Sequence, residues 1–511
     1  MTVRGLIDQC AQAYPNTNFL LSAESDLRIS FGELQHHARQ IEKYLDQRGI
    51  ERGQTAALMM GNGCWTATLM LGIMYSGRVV LPLNVVAGAE QIEYVIEHSD
   101  LKIIFCSSHY RLLFVDIFEK IESLVDIVQC NEDTGPVDLA SASLTAEKSN
   151  APMESNQTAL MVYTSGTTGR PKGVLLSHKN VIAGGDNTVQ AHQLTAQDRS
   201  LCVLPLYHIN AEMVSIMAPL VSGGSVVISH RLSISRFWNW ILDHQCTWYS
   251  AVPTIFSYLI EHRQSNPELG PDKTLLNKQL RFARSASAAL PSATRETFES
   301  LFGVPIIETM GISECAAQIL SNPMNRSKCK VGSPGIAFGN EVRIVDSSRR
   351  EIPAYAQGEI AVRGDNIMQG YYKNLEATQQ AIDDDGWFYT GDIGFCDDQG
   401  FVFVTGRIKE LIIKGGENIA PREIDDVLYR HPSVLEAAAF GVPDKNYGQE
   451  VMAAVSLKPN TTCNESTLLE HCEKRLGKVK SPKRIRILNE LPKGPSGKIQ
   501  RLKLQQTLAS T

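Results

Sequence analysis

The sequence contains no uncharged apolar stretch approaching the roughly 20 residues that a bilayer-spanning helix needs. Its opening, Met-Thr-Val-Arg-Gly-Leu-Ile-Asp, lacks the apolar run of a secretory signal, so a cytoplasmic protein without an integral membrane segment is expected. No charge of one sign dominates either. A formal net charge of -6 over 511 residues creates no general attraction to nucleic acid or anionic lipid, and no nucleic-acid partner is expected. Any polyanionic ligand must therefore be met by local basic clusters. None of the 11 cysteines form a Cys-x-x-Cys pair, and a scattered, odd set in a long chain reads as reduced, mostly buried thiols. There are no internal repeats and no low-complexity tracts. A Ser-His-Asp motif is also missing.

What is present is an ordinary globular composition, 43% apolar and 20% charged, on a chain too long for one hydrophobic core. Helical periodicity covers Phe31 to Leu45 and Trp65 to Tyr75, closing near Gly49 and Gly77. Short β-branched runs alternate with the helices: Thr55 to Met60, Val79 to Leu83, Lys102 to Cys106, Ala159 to Tyr163, Ser200 to Leu204 and Ser225 to Ile228. Such continuous apolar strands separated by helices predict an α/β fold of mostly parallel sheets covered on both faces. From about Val331 the pattern becomes β-rich, with strands at Glu341 to Val345, Gly358 to Val362 and Gly400 to Val404. Beyond Gly406-Arg407 the order strand, glycine turn, helix, strand, strand, helix predicts a small α+β unit. The expected division is a large N-terminal domain, 1–408, with 331–408 as its β-rich subdomain, and a C-terminal domain, 409–511.

The most informative segment follows the strand at Ala159 to Tyr163: Thr164-Ser165-Gly166-Thr167-Thr168-Gly169-Arg170-Pro171-Lys172-Gly173. Its glycines let backbone approach a phosphate, its hydroxyls and successive N–H groups offer donors, and Lys172 adds a mobile positive charge. A Walker A loop requires Gly-Lys followed by Ser or Thr; here Pro171 precedes Lys172 and Gly173 follows it, so that reading fails.

The segment resembles the phosphate loop of the acyl-adenylate-forming superfamily, which includes acyl-CoA synthetases, firefly luciferase and nonribosomal-peptide adenylation domains. Further motifs follow in that family's order. Glu308-Thr309-Met310-Gly311-Ile312-Ser313-Glu314 resembles its aromatic-Gly-x-Thr-Glu motif, with Met310 where an adenine-stacking tyrosine is usual. By that resemblance Glu314 would ligate Mg²⁺ on the ATP phosphates and Ser313 would bond the α-phosphate. Ser285-Ala286-Ser287-Ala288-Ala289-Leu290-Pro291 resembles the small-residue turn lining the adenine pocket, with Ala289 in place of a common proline. Trp387-Phe388-Tyr389-Thr390-Gly391-Asp392 and Gly406-Arg407 match motifs in which the aspartate accepts both ribose hydroxyls and the arginine reaches the ribose or phosphates. The segments around Gly358 to Gly364 and Met368 to Tyr372 also match, and read as structural. Gly415-Gly416-Glu417 resembles the loop lining the thiol channel in a second half-reaction. Lys498, in Pro495-Ser496-Gly497-Lys498, resembles the lysine that bridges the acid and the α-phosphate in the first. Lys409 occupies the hinge position of the family's swinging small domain.

The resemblance implies an ATP-dependent ligase that needs ATP, Mg²⁺ and coenzyme A, forming an acyl-adenylate and then a thioester. Pro205 to Met213 resembles the segment lining the acyl site and thiol channel, so His208, Asn210, Glu212 and Met213 are candidates to shape it. His208 would gate the channel or simply pack in the core. An amino-acid substrate is disfavoured, because Glu212 is the only nearby acid to pair an α-amine. Tyr207 to Asn210 and Arg236 to Trp238 resemble ligases of the carnitine, crotonobetaine and medium-chain types. Lys478, Lys480, Lys483, Arg484 and Arg486 would meet coenzyme A phosphates or form a solvated face. A carrier-protein thiol is the alternative acceptor and a non-catalytic nucleotide binder the alternative class; both monomer and homodimer remain open.

Overall fold

The computed structural model describes residues 1–139, 152–164, 170–459, 461–494 and 499–508. Two large sheets form the N-terminal part. In the first, strands Thr158–Thr164, Val79–Pro82, Thr55–Met59, Ile103–Ser107 and Asp126–Asn131 run parallel, with antiparallel strands added at both edges. The second has a parallel centre of Ile306–Ile312, Phe282–Ser285, Trp248–Ala251, Arg199–Cys202, Ser225–Ile228 and Asn18–Ser22, again with antiparallel edges.

Alternation along Thr55–Met59 shows why the first sheet needs cover on both sides. Ala56 and Leu58 enter one hydrophobic core, while Ala57 and Met59 enter another. The helix Cys64–Tyr75 is buried at every residue. It lies against Phe31–Gln47 so closely that a Cβ on Gly72 would stand 2.4 Å from Ile41 Cδ1. Phe31–Gln47 is started by a reciprocal cap, in which Ser30 accepts from the Glu33 amide and Glu33 accepts from the Ser30 amide. The same device, with Ser177 and Asn180, starts His178–His192.

Next come four antiparallel strands, Glu341–Val345, Gly358–Arg363, Phe388–Cys396 and Val402–Arg407. The last of these begins later than the sequence suggests, because Asp397 to Gly400 forms the turn, closed by the Asp397 carboxylate accepting from Gln399 and Phe401. Residues beyond Ile408 pack into hydrophobic clusters of their own, around Ile424, Leu428, Ala453 and Ile485 and around Phe440, Leu491 and Leu504. The strands of this smaller part are Ile412–Lys414, Glu417–Ile419, Val434–Asp444, Gly448–Leu457 and Arg484–Leu488. The overall architecture is the expected two-domain α/β fold. No described helix is long and apolar enough to cross a membrane.

Among the elements that escaped the sequence reading are the helices Val3–Ala13, His178–His192, Pro253–Ser265 and Arg501–Leu508 and the π-helix Asn210–Met217, extended by Ala218 N–H donating to Met213 O. π-Helical turns are rare and concentrate where function needs an unusual side-chain direction.

Candidate active site

Thr158–Thr164 and Lys172–Ser177 form an antiparallel hairpin in which Thr164 faces Lys172 across the ladder. Ser165, Gly166, Thr167, Thr168 and Gly169 lie outside the described residues. Lys172 extends from the end of the second strand, and its Nζ stands 4.7 Å from the centre of the Tyr371 ring. The Tyr371 hydroxyl donates to Glu314 Oε1 at 3.1 Å. Glu314 sits on a 3₁₀ turn, Ser313–Cys315, directly after the strand Ile306–Ile312. Burial raises its pKa above the ordinary carboxyl value, opposed by its own amide, the Tyr371 hydroxyl and Arg407.

Asp392 and Arg407 are ladder partners on neighbouring strands, joined by Arg407 Nε donating to Asp392 Oδ1 at 2.6 Å. Burial opposes the charge of Arg407, but Asp392, then Glu410 and Glu314, more than offset it and raise its pKa. The Asp392 approach is set by Thr390 Oγ1, which accepts from the Asp392 amide, and by Glu359, which accepts from the Gly391 amide at 2.8 Å. Gly391 has φ +72°, which suits glycine at this bend. Lys172, Tyr371, Glu314, Asp392 and Arg407 thus converge from separate elements into one polar constellation.

A second group adjoins it. The Thr309 hydroxyl donates to Ser285 O at 3.1 Å, and Glu308 Oε1 accepts from Leu290 N at 3.4 Å, pinning the turn that holds Ser287, Ala288 and Ala289. Ser287 has φ +70°, a left-handed conformation costing a non-glycine residue on the order of 1 kcal/mol, and its hydroxyl accepts from Asn210 Nδ2 at 3.4 Å. Met310 and Ser313 are half-buried, and Met310 packs against the main core. Gly311 lies in the ladder opposite Gln318, where a Cβ would come within 1.6 Å of Ala317 O. Asn210 Oδ1 accepts from Ser250 Oγ at 3.0 Å and from Arg284 at 3.1 Å.

The remaining candidates are more dispersed. His208 is half-buried, its ring 4.7 Å from that of Tyr207. Met213 is fully buried. Glu212 is fully buried too, with no hydrogen-bond partner on either carboxyl oxygen, and burial alone pushes its pKa up to about 8. A carboxyl kept neutral in this way is poorly suited to pairing an α-amine. Gly415 and Gly416 form an exposed turn between Lys414 and Glu417, which face each other across the ladder. Lys409 sits on the 3₁₀ turn Ile408–Glu410 between the two parts of the chain. Lys498 lies outside the described residues; flanking it, Lys493 and Ile499 form an antiparallel bridge, and Lys493 Nζ donates to Tyr258 Oη at 3.5 Å. Lys480 is paired with Glu423 at 2.8 Å.

Tyr371 was legible in the sequence only as part of a structural segment, yet it bridges Lys172 and Glu314. Arg284 was not singled out at all. No local motif marks it.

The donor set suits a magnesium ion held jointly with phosphates. Among the described residues no group of three or more His, Cys, Asp or Glu could hold a metal by themselves, whereas Glu314 presents one carboxylate beside Lys172.

Comparison with known proteins agrees with this geometry. Residues 7–372 match the family described as AMP-binding enzyme, and residues 423–498 match the AMP-binding enzyme C-terminal domain. The chain is 42% identical over 503 residues to a sulfoacetate–CoA ligase of Cupriavidus necator, covering 98% of this chain and 97% of that one. It is 33% identical over 515 residues to an oxalate–CoA ligase of Arabidopsis thaliana, covering 98% and 97%. Among solved structures, ATP-bound MatB from Rhodopseudomonas palustris superposes with a TM-score of 0.89 at 28% identity, over 100% of this chain and 99% of that one. Apo MatB gives a TM-score of 0.79 at the same identity and coverage. The chain belongs to the AMP-binding enzyme family, in its acyl-CoA ligase branch, and is an AMP-forming acid–thiol ligase.

Proposed function

We propose that the polar constellation around Glu314 is where a carboxylate attacks the α-phosphorus of ATP, expelling pyrophosphate and leaving an acyl-adenylate. A thiol, that of coenzyme A, then attacks the mixed anhydride and releases AMP. The observation carrying this reading is the meeting of Lys172, Tyr371, Glu314, Arg407 and Asp392, which pairs positive charge for phosphates with an acceptor carboxylate for a ribose. Lys172 and the 164–169 loop hold the outgoing phosphates. Asp392, oriented by Arg407, accepts from the ribose hydroxyls. Magnesium, bound through Glu314 and the phosphates, would neutralise phosphate charge, with Tyr371 fixing the carboxylate that holds it. Thr309, Met310, Gly311 and the 287–289 turn border the adenine, and Ser313 bonds the α-phosphate. Lys498 steadies the charge that develops as the carboxylate attacks, an electrostatic role suited to a dry site.

Residues 409–511 act as the lid, with Lys409 as hinge. The exposed Gly415–Glu417 turn and the contact of Lys493 with Tyr258 fit an arrangement poised for adenylation. The closer likeness to ATP-bound than to apo MatB supports the same arrangement. Rotation of the lid would then exchange Lys498 for Gly415–Glu417 at the thiol step. ATP and coenzyme A are both cytoplasmic pools, and we place the enzyme there. The acids named for the two relatives, sulfoacetate and oxalate, are short and carry a second acidic group; we carry that class over to this chain.

Lys498→Ala separates the half-reactions. It should lose most acid-dependent pyrophosphate release yet still convert a supplied acyl-adenylate and coenzyme A to thioester. Equal loss of both steps would refute the division of labour.

A further inference from the structure

Arg422 stands where its own helix is least able to hold it. It lies in the first turn of Pro421–Tyr429, and the partial positive charge at a helix N-terminus disfavours a cation there. Within that helix its acidic neighbour is Asp426, 3.9 Å from Nε, and the Arg422 side chain is only 18% exposed. Its hydrogen bond runs out of the smaller part of the chain: Nη1 donates to Val404 O at 2.6 Å. Val404 belongs to Val402–Arg407, the last strand in the order of the four-stranded sheet, and an edge strand offers carbonyls to partners outside its sheet. The start of the helix is seated against the same strand, since a Cβ on Gly406 would meet Ala420 Cβ at 3.6 Å.

The strand that Arg422 grips ends three residues later at Arg407, which orients Asp392. Arg422 also faces a buried acid of the large N-terminal part. Glu308 is 3% exposed, and its Oε1 accepts from Leu290 N at 3.4 Å, pinning the turn that holds Ser287, Ala288 and Ala289. Burial raises the Glu308 pKa, and Asp426 adds to the rise. The Arg422 guanidinium is foremost among the groups that oppose it, ahead of the Leu290 amide and Arg295. One side chain of the smaller part thus acts on two sides of the proposed nucleoside site, directly on the hairpin carrying Asp392 and through its charge on the acid behind the 287–289 turn.

We infer that Arg422 is a positioning residue of the adenylating step: holding Val404 O and facing Glu308, it makes the grip on the nucleotide depend on where the lid stands. The inference rests on the reading of residues 409–511 as a lid that rotates between the half-reactions. With the lid turned for adenylation, Arg422 braces the strand leading to Arg407 and gives Glu308 a facing positive charge. Rotation withdraws the guanidinium from both. Glu308 is then a buried carboxylate without that charge, an unfavourable state that loosens the turn it pins. The nucleotide is held while the phosphorus centre reacts and slackened for the step that releases AMP. This service accounts for a cation at a helix N-terminus that its own helix disfavours.

The test separates nucleotide grip from chemistry in the full-length protein. ATP affinity is measured by calorimetric titration in the presence of magnesium. The half-reactions are followed by pyrophosphate release with oxalate, malonate or sulfoacetate, and by thioester formation from supplied acyl-adenylate and coenzyme A. Arg422→Ala should weaken ATP binding and slow pyrophosphate release by about tenfold or more, the effect of losing a hydrogen bond from a charged donor. Thioester formation should be unaltered. Arg422→Lys keeps the charge without the planar fork and should restore part of the affinity. In a Glu308→Gln background Arg422→Ala should weaken binding less than in the wild type, because no carboxylate remains for the guanidinium to face. Should Arg422→Ala fail to fold, Arg422→Gln, uncharged and nearer in shape, carries the same comparison. Unchanged ATP affinity in the Arg422 variants, or both half-reactions falling by one factor, overturns the inference. So does an equal loss with and without the Glu308 carboxylate. Wild-type protein forming no AMP with any acid, or Lys498→Ala losing both half-reactions alike, would instead remove the underlying reading.

Discussion

Replacing Glu212 by glutamine should remove a contribution to the protein's stability that falls as pH rises. The carboxyl is sealed in the core without a partner, and burial pushes its pKa from the ordinary 4.5 up to about 8. An acid whose folded pKa is raised contributes stability that is complete below about pH 4.5 and lost progressively as pH rises through about 8. Across the part of that window from pH 5 to pH 7.5, linkage makes the loss about 3 kcal/mol. With an unfolding entropy of ~2 cal/mol/K per residue over a unit of several hundred residues, this amounts to a fall in Tm of about 4 °C. His178, lowered to about 4, and His192, lowered well below its ordinary value, are buried neutral and slope the other way. Comparing Glu212→Gln with the wild type cancels their contribution, because glutamine keeps the shape and removes only the proton. Differential scanning calorimetry from pH 5 to pH 8 should show the variant gaining on the wild type as pH rises. Parallel curves would refute the placement of an unpaired carboxyl in the core.

Two other outcomes follow from the geometry. Tyr371→Phe removes a hydrogen bond to a carboxylate, worth roughly 2 kcal/mol, so pyrophosphate exchange should fall about 30-fold, with a higher magnesium requirement. An unaltered magnesium dependence would separate Tyr371 from Glu314's role. Lys409→Pro stiffens the proposed hinge and should slow thioester formation more than pyrophosphate exchange; unchanged thioesterification would remove the hinge from Lys409.

Much of the fold was legible because its signals are local. Phe31–Gln47 announces itself through periodicity and a capping box, and Ser225–Ile228 through a continuous β-branched run. The pairing of Asp392 with Arg407 was legible as well, since a hairpin between two motifs returns one to the other. Arg284 was not legible, because nothing in Phe-Ala-Arg-Ser tells a surface arginine from a buried one. Its meaning depends on Asn210, Ser250 and Gln318, between 34 and 74 positions away along the chain. Asn210 opens a π-helix, and π-helical hydrogen bonding has no clear compositional signature. Tyr371 was missed for a similar reason: a short edge strand positions it, and its partners lie on other elements.

The most direct test follows the fate of ATP. Purified wild-type protein with magnesium, coenzyme A and short doubly charged acids should convert ATP to AMP and pyrophosphate, with one acyl-CoA formed for each AMP. Formation of ADP and phosphate, or AMP accumulating without any thioester, would contradict it.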